Sequence, residues 1–357
     1  MGFLVLLYEL LFAAFGFAVL FSVFRGLISV YNQTLQSDFR MEPLPYIFGV
    51  YILGLIGAYF LVGTADFVEP LNLLRIVFPL IFAVMIYVSY MIFSKPMFSL
   101  VVVACVAVTV FLQPLGDGTP FHPLPHWSVQ ILAIIFGSIF CLGAVILNFL
   151  PHTYILVQII TLFGLCMLGF IGGTPLYIAL SAAILIGALS GYLFNNYYEI
   201  KINFDDISSI VTSYLVLNLL LMNLGEYSFP SCIIFTGIFW GELIMALYNR
   251  FFVSRSGTLQ ENTPYYLAAE QFNLYTLTTG IIRIGIISLF IGWFQLFSTN
   301  QYSLIVVAIL FCIWFDTSLG HKIKGFGSLK EVNKEFISDL KQNIAETKKL
   351  LQKNKDK

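Results

Sequence analysis

Apolar runs of about bilayer thickness follow one another along most of this chain, and the polar residues fall between them. Eleven such runs are present: 3 to 24, 45 to 63, 71 to 93, 98 to 115, 127 to 150, 154 to 172, 175 to 194, 208 to 224, 230 to 248, 274 to 297 and 303 to 320. A hydrocarbon core of ~30 Å takes roughly 20 apolar residues per helix. Lipid offers the backbone no hydrogen-bond partners, so each run is expected to be an α-helix. The pattern predicts an all-α, polytopic integral membrane protein with a transmembrane domain over residues 1 to 320 and a polar tail over 321 to 357.

Charge sets the orientation. Of the 18 Lys and Arg, sixteen fall in five segments on the same side of an eleven-span protein: 25 to 44, 94 to 97, 195 to 207, 249 to 272 and the tail. Positive charge in short loops marks the cytoplasmic face, which predicts an outer N-terminus and a cytoplasmic C-terminus. With 59% hydrophobic and only 10% charged residues, the chain cannot build an ordinary soluble surface. Nothing in the charge pattern points to nucleic acid. The five cysteines, Cys105, Cys141, Cys166, Cys232 and Cys312, all lie inside apolar runs without paired spacing, so neither a disulfide framework nor a metal framework is expected. The first run lacks a basic segment before it and a small-residue cleavage site, and reads as an uncleaved anchor.

The tail carries ten Lys, and Leu329, Val332, Phe336, Leu340, Ile344 and Leu351 recur at helical spacing. Ser328 with Glu331 three residues later forms a capping box. This predicts an amphipathic cytoplasmic helix that lies on anionic headgroups or docks a partner protein.

Polar residues gather most densely in the connection GYLFNNYYEIKINFDDISS, residues 191 to 209. Asp205 and Asp206 there have two readings. They cap the eighth helix, since Asp favours the first turn, or they offer carboxylates to Mg²⁺, a hard cation that takes one or two carboxylates plus phosphate oxygens. Inside the spans, Arg283 and Asp316 sit in consecutive helices and suit an ion pair or a polar lining for a lipid-phosphate groove. Glu9, in the first span, has no evident partner.

The 191 to 209 segment resembles the G-F-L-x-x-N-x-x-P-A-K-I-F-M-G-D-x-G-S stretch of the polyprenyl-phosphate N-acetylhexosamine-1-phosphate transferases, the MraY/WecA family. Gly191, Leu193, Asn196, Lys201, Ile202, Asp206 and Ser209 fall on matching positions without a gap, whereas Glu199 replaces the Pro and Asp205 and Ser208 replace glycines. Collinear traces accompany it. PYIFG from Pro45 resembles P-x-x-G-G, and NFLPHTYIL from Asn148 resembles N-x-x-D-G-x-D-G-L, with Pro151 and Tyr154 in place of the aspartates. Glu242 and Arg250 resemble D-x(7)-R, and Pro264, Tyr265 and Tyr266 stand where H-x-H is expected. Those enzymes transfer a sugar-1-phosphate from a UDP-sugar to a lipid phosphate.

The resemblance implies a bacterial inner-membrane protein of cell-envelope glycan synthesis. It places Asp206 at a Mg²⁺ position, with Asn148, Asn196, Lys201 and Arg250 near substrate and Glu242 in place of a family Asp; Arg283 and Asp316, singled out by their charge inside the spans, are further polar groups. The departures are chemical. Residues 67 to 116 hold no Asp, so the paired carboxylates at the end of the third span are missing. Phosphoryl transfer depends on charge stabilisation by metal and cations; with most carboxylates gone, the expectation is a catalytically degenerate relative that binds a lipid phosphate or a partner. An active transferase with a divergent site, an unrelated transporter or flippase, and a homodimer are the alternatives. His152, in the fifth-to-sixth connection, reads as an interface residue, with a substitute polar group for the degenerate loop as the alternative.

Overall fold

The computed structural model describes residues 2 to 34, 42 to 62, 70 to 113, 126 to 148, 151 to 171, 175 to 196, 204 to 223, 235 to 251 and a few positions between 258 and 263. Every regular element among the described residues is an α-helix. In chain order these are α1 (Gly2–Thr34), α2 (Leu44–Val62), α3 (Pro70–Ile92), α4 (Lys95–Leu112), α5 (His126–Leu147), α6 (Pro151–Ile171), α7 (Leu176–Asn196), α8 (Asp206–Met222) and α9 (Gly237–Phe251). They coincide one for one with the first nine apolar runs. Five, namely Leu4–Ile28, Leu74–Ile92, Lys95–Leu112, Trp127–Leu147 and Leu176–Asn195, are long and apolar enough to cross a membrane. The tenth and eleventh runs and the amphipathic tail lie outside the described residues.

Some boundaries differ from the hydropathy pattern. α1 runs ten residues past the predicted end at 24, through Arg25 to Thr34, because no Pro interrupts the backbone where hydropathy falls. The fifth helix stops at Leu147, three residues before the predicted 150, and Pro151 opens α6. Proline suits the first helical position and disfavours helix in the residue before it. α9 extends to Phe251, which carries Arg250 into its last turn.

Two helices organise the bundle. α7 packs against α1, α2, α6 and α8, whereas α8 meets α3, α4, α5, α6 and α7. The α1 contact is close because its residues are small. A Cβ on Gly16 would stand 2.7 Å from the Ile184 carbonyl oxygen and 3.1 Å from the Ala188 nitrogen, and one on Gly187 would overlap the Ala13 carbonyl. Gly187 and Gly191 form a G-x-x-x-G pair on α7, preceded at the same spacing by Ala183. In lipid such small residues let backbones approach and gain dispersion where no hydrophobic drive exists between helices.

α8 has a different character. All of its residues from Ile207 to Met222 are buried, among them Ser208, Ser209, Thr212, Ser213 and Asn218. Neighbouring helices satisfy much of this polarity. The Tyr154 hydroxyl of α6 donates to the Ser209 carbonyl at 2.5 Å and lies 2.8 Å from the Ser213 hydroxyl, and the Gln158 amide donates to Ser213 at 3.1 Å. From α4, Thr109 shares a 2.5 Å bond with Tyr214, and Gln113 donates to Asn218 at 3.0 Å.

Candidate functional site

One end of the bundle gathers several of the residues that the sequence singles out. α8 begins there, and its first turn is capped by Asp205, whose carboxylate accepts from the Ser208 amide at 3.0 Å and from the Ser208 hydroxyl. The capping reading of Asp205 is therefore what the structure shows. Just before it, the Phe204 carbonyl accepts a 2.8 Å bond from the Asn148 amide, which ties the α5–α6 corner to the start of α8. One turn into α6, Tyr154 makes the bonds to Ser209 and Ser213 described above. Two positions of the N-x-x-D-G-x-D-G-L-like stretch, 148 and 154, thus touch the segment 204 to 213.

The same end receives two residues that sequence reasoning missed. Tyr87, near the end of α3, donates its hydroxyl to the Glu42 carboxylate, just ahead of α2, at 2.7 Å. Tyr87 and Tyr90 both lie within electrostatic reach of Asp205 and Glu42, and Tyr90 of Asp206 as well. α3 therefore brings tyrosines to the place where the resemblance expects paired carboxylates. Its periodicity could have pointed to them, since positions 83, 86, 87 and 90 share a helical face and two of these are tyrosines.

The cluster is acidic. Burial raises the Asp205 carboxyl above the usual carboxylate range; the Ser208 bonds oppose this, and the nearby Glu42 charge adds to it. Asp206 is exposed. Asp205 spends its oxygen on the α8 cap, Glu42 accepts from Tyr87, and no group of three or more Asp, Glu, His or Cys suited to a metal occurs among the described residues.

The other predicted residues divide. Glu242 is fully buried on α9 and Arg250 is exposed in its last turn. α9 packs on α5 through Phe239 against Phe140 and Trp240 against Phe136, with ring centroids 4.9 and 5.0 Å apart. Asn196 is the last residue of α7. His152 lies in the first turn of α6. Lys201, Arg283 and Asp316 lie outside the described residues. Glu9 is only 5% exposed, and its Oε1 lies beside Gly169 of α6.

No protein-family model matches the chain, and no curated protein matches it. The structure itself defines the class at a coarse level: an all-helical protein with several helices apolar enough to span a membrane.

Proposed function

We propose that this is a relative of the UDP-sugar:polyprenyl-phosphate sugar-1-phosphate transferases that has lost the transfer chemistry and retains lipid-phosphate binding at the α8 end of the bundle. The observation that supports this reading is the bonding of motif-like segments distant in sequence. Asn148 bonds to Phe204 across 56 positions, and Tyr154 bonds to Ser209 across 55. On this reading the α8 end is cytoplasmic, the N-terminus is outside, and eleven spans complete the bundle in a bacterial inner membrane. Lys201 and Arg250 supply the charge-assisted donors that a phosphate needs. The loss of catalysis follows from the missing carboxylates: residues 67 to 116 hold no Asp, Pro151 and Tyr154 stand where aspartates are expected, and removing even one charge-stabilising group costs ~10² to 10³ in rate.

Purified protein incubated with UDP-GlcNAc or UDP-MurNAc-pentapeptide and polyprenyl phosphate is expected to give no lipid-linked sugar. Native mass spectrometry is expected to show a retained polyprenyl phosphate that is lost in the double substitution Lys201→Ala, Arg250→Ala. Equal retention by that variant would overturn the lipid-phosphate reading. Turnover that disappears in Asp206→Asn would instead restore an active transferase.

A transporter or flippase is the second reading, favoured by α8, which is buried from Ile207 to Met222 and carries several polar side chains there. Reconstituted vesicles distinguish it, because a flippase equilibrates a fluorescent lipid between leaflets and a binding protein does not.

A further inference from the structure

We propose that ordered water occupies two sites inside the bundle beside α8, one against Gln158 and Ser213 and one against Gln113 and Asn218. The inference starts from hydrogen bonds that stop half made. Gln158, 0% exposed, gives its amide to Ser213, and its carbonyl Oε1 meets no donor among the described residues. The Thr212 hydroxyl, on the adjoining position of α8, is also buried and meets no partner among the described residues. Further along, Gln113, 4% exposed, gives its amide to Asn218, and its Oε1 likewise meets no donor. Asn223, which ends α8, buries an unpartnered Oδ1 in the same way.

These are mostly amide carbonyls, which only accept. A buried acceptor left unmade is destabilising, and neither lipid nor an apolar side chain can donate to it. With no donor for them among the described residues, a small donor is the partner that completes these bonds. A metal cation is disfavoured because α4, α6 and α8 carry no acidic residue except Asp206, at the α8 end, so nothing would balance a charge at either place. Water is neutral, donates twice, and typically makes about three bonds when buried. At the first site it finds Gln158 Oε1 beside the Ser213 and Tyr154 hydroxyls. The second offers Gln113 Oε1 beside the Asn218 side chain, whose amide also lies 3.3 Å from the Met222 sulfur.

Radiolytic hydroxyl-radical footprinting of the full chain in lipid nanodiscs, with rapid mixing into ¹⁸O water, tests both sites. Radicals generated from a trapped water oxidise the side chains next to it, which bulk radicals cannot reach. Tyr154 is expected to be labelled several-fold more than Tyr192, which is equally buried among the Phe24 and Phe204 rings. Met222 is expected to exceed Met245, which has similar burial. Gln158→Leu should bring Tyr154 down to the level of Tyr192 and leave Met222 unchanged, and that unchanged label also reports that the variant folds. If Gln158→Leu does not fold, Gln113→Leu serves in its place, lowering Met222 and sparing Tyr154. Labelling of Tyr154 no higher than Tyr192 overturns the first site, and Met222 no higher than Met245 overturns the second.

Discussion

The α1–α7 contact and the surroundings of α8 solve the same packing problem in opposite ways. Between α1 and α7 the residues at the contact are Ala13, Gly16, Gly187 and Ala188, and the backbones themselves nearly touch. Around α8 the side chains are larger and polar, and Tyr154, Gln158, Thr109 and Gln113 reach across to bond it. The first contact gains dispersion over many close atoms and tolerates no added volume. The second spreads its stabilisation over separate bonds, each of which averages about 0.6 kcal/mol between membrane helices. One region should therefore fail abruptly under substitution, while the other should weaken by steps.

The largest expected effect is at Gly187. Gly187→Leu drives a branched side chain into the Ala13 carbonyl and the Phe17 backbone. Overpacking of a tight contact costs ~1 to 3 kcal/mol and more where backbone must move, so this variant should lose most of its monodisperse yield in detergent and melt far below the parent protein. Yield and a melting temperature near that of the parent would mean that α1 can slide along α7, which would break the comparison. Tyr154→Phe tests the other region. It deletes the bonds to Ser209 and Ser213 while keeping the ring against Phe204. A loss of about 0.6 to 1.7 kcal/mol is expected, read as a modest drop in melting temperature; a collapse as deep as that of Gly187→Leu would show that α8 is held as tightly as α1.

The two regions also differ in how far the sequence revealed them. Apolar run length located all nine described helices, because a lipid-spanning segment has no other way to satisfy its backbone. Asp205 as a cap was one of two readings open at its position, and only the Ser208 bonds separate it from a metal ligand. The α1–α7 contact went unread: its G-x-x-x-G pair lies in an apolar run that hydropathy scores as uniform. The pairing of Tyr87 with Glu42 was invisible for a different reason. Their bond joins positions 45 apart, and nothing in local spacing announces a partner on another helix. The lipid-phosphate reading draws its support from Asn148 and Tyr154, whose bonds to the 204 to 213 segment no local spacing announces either.

An effect of similar size to that of Tyr154→Phe, and the one that sharpens the comparison at the α8 end, is expected at Asp205. Asp205→Ala removes the acceptor for the Ser208 amide and should cost ~0.5 to 2 kcal/mol, the usual range for a lost N-cap, whereas Asp205→Asn retains a capping oxygen and should cost far less. The two variants also separate cap from charge. Burial raises the carboxyl of Asp205 in the folded protein, so the folded state holds its proton to higher pH than the unfolded chain, whose Asp titrates near ~3.9. Where the folded state binds more protons, stability falls as pH rises. The contribution of Asp205 is therefore complete below the ordinary Asp range and is lost as pH climbs through the raised value. Melting temperatures measured across that interval should decline with pH in the parent relative to Asp205→Asn, which has no proton to lose. If the two curves run parallel, Asp205 is ionised and solvated as readily in the fold as out of it, and the α8 end is wetter than its burial implies.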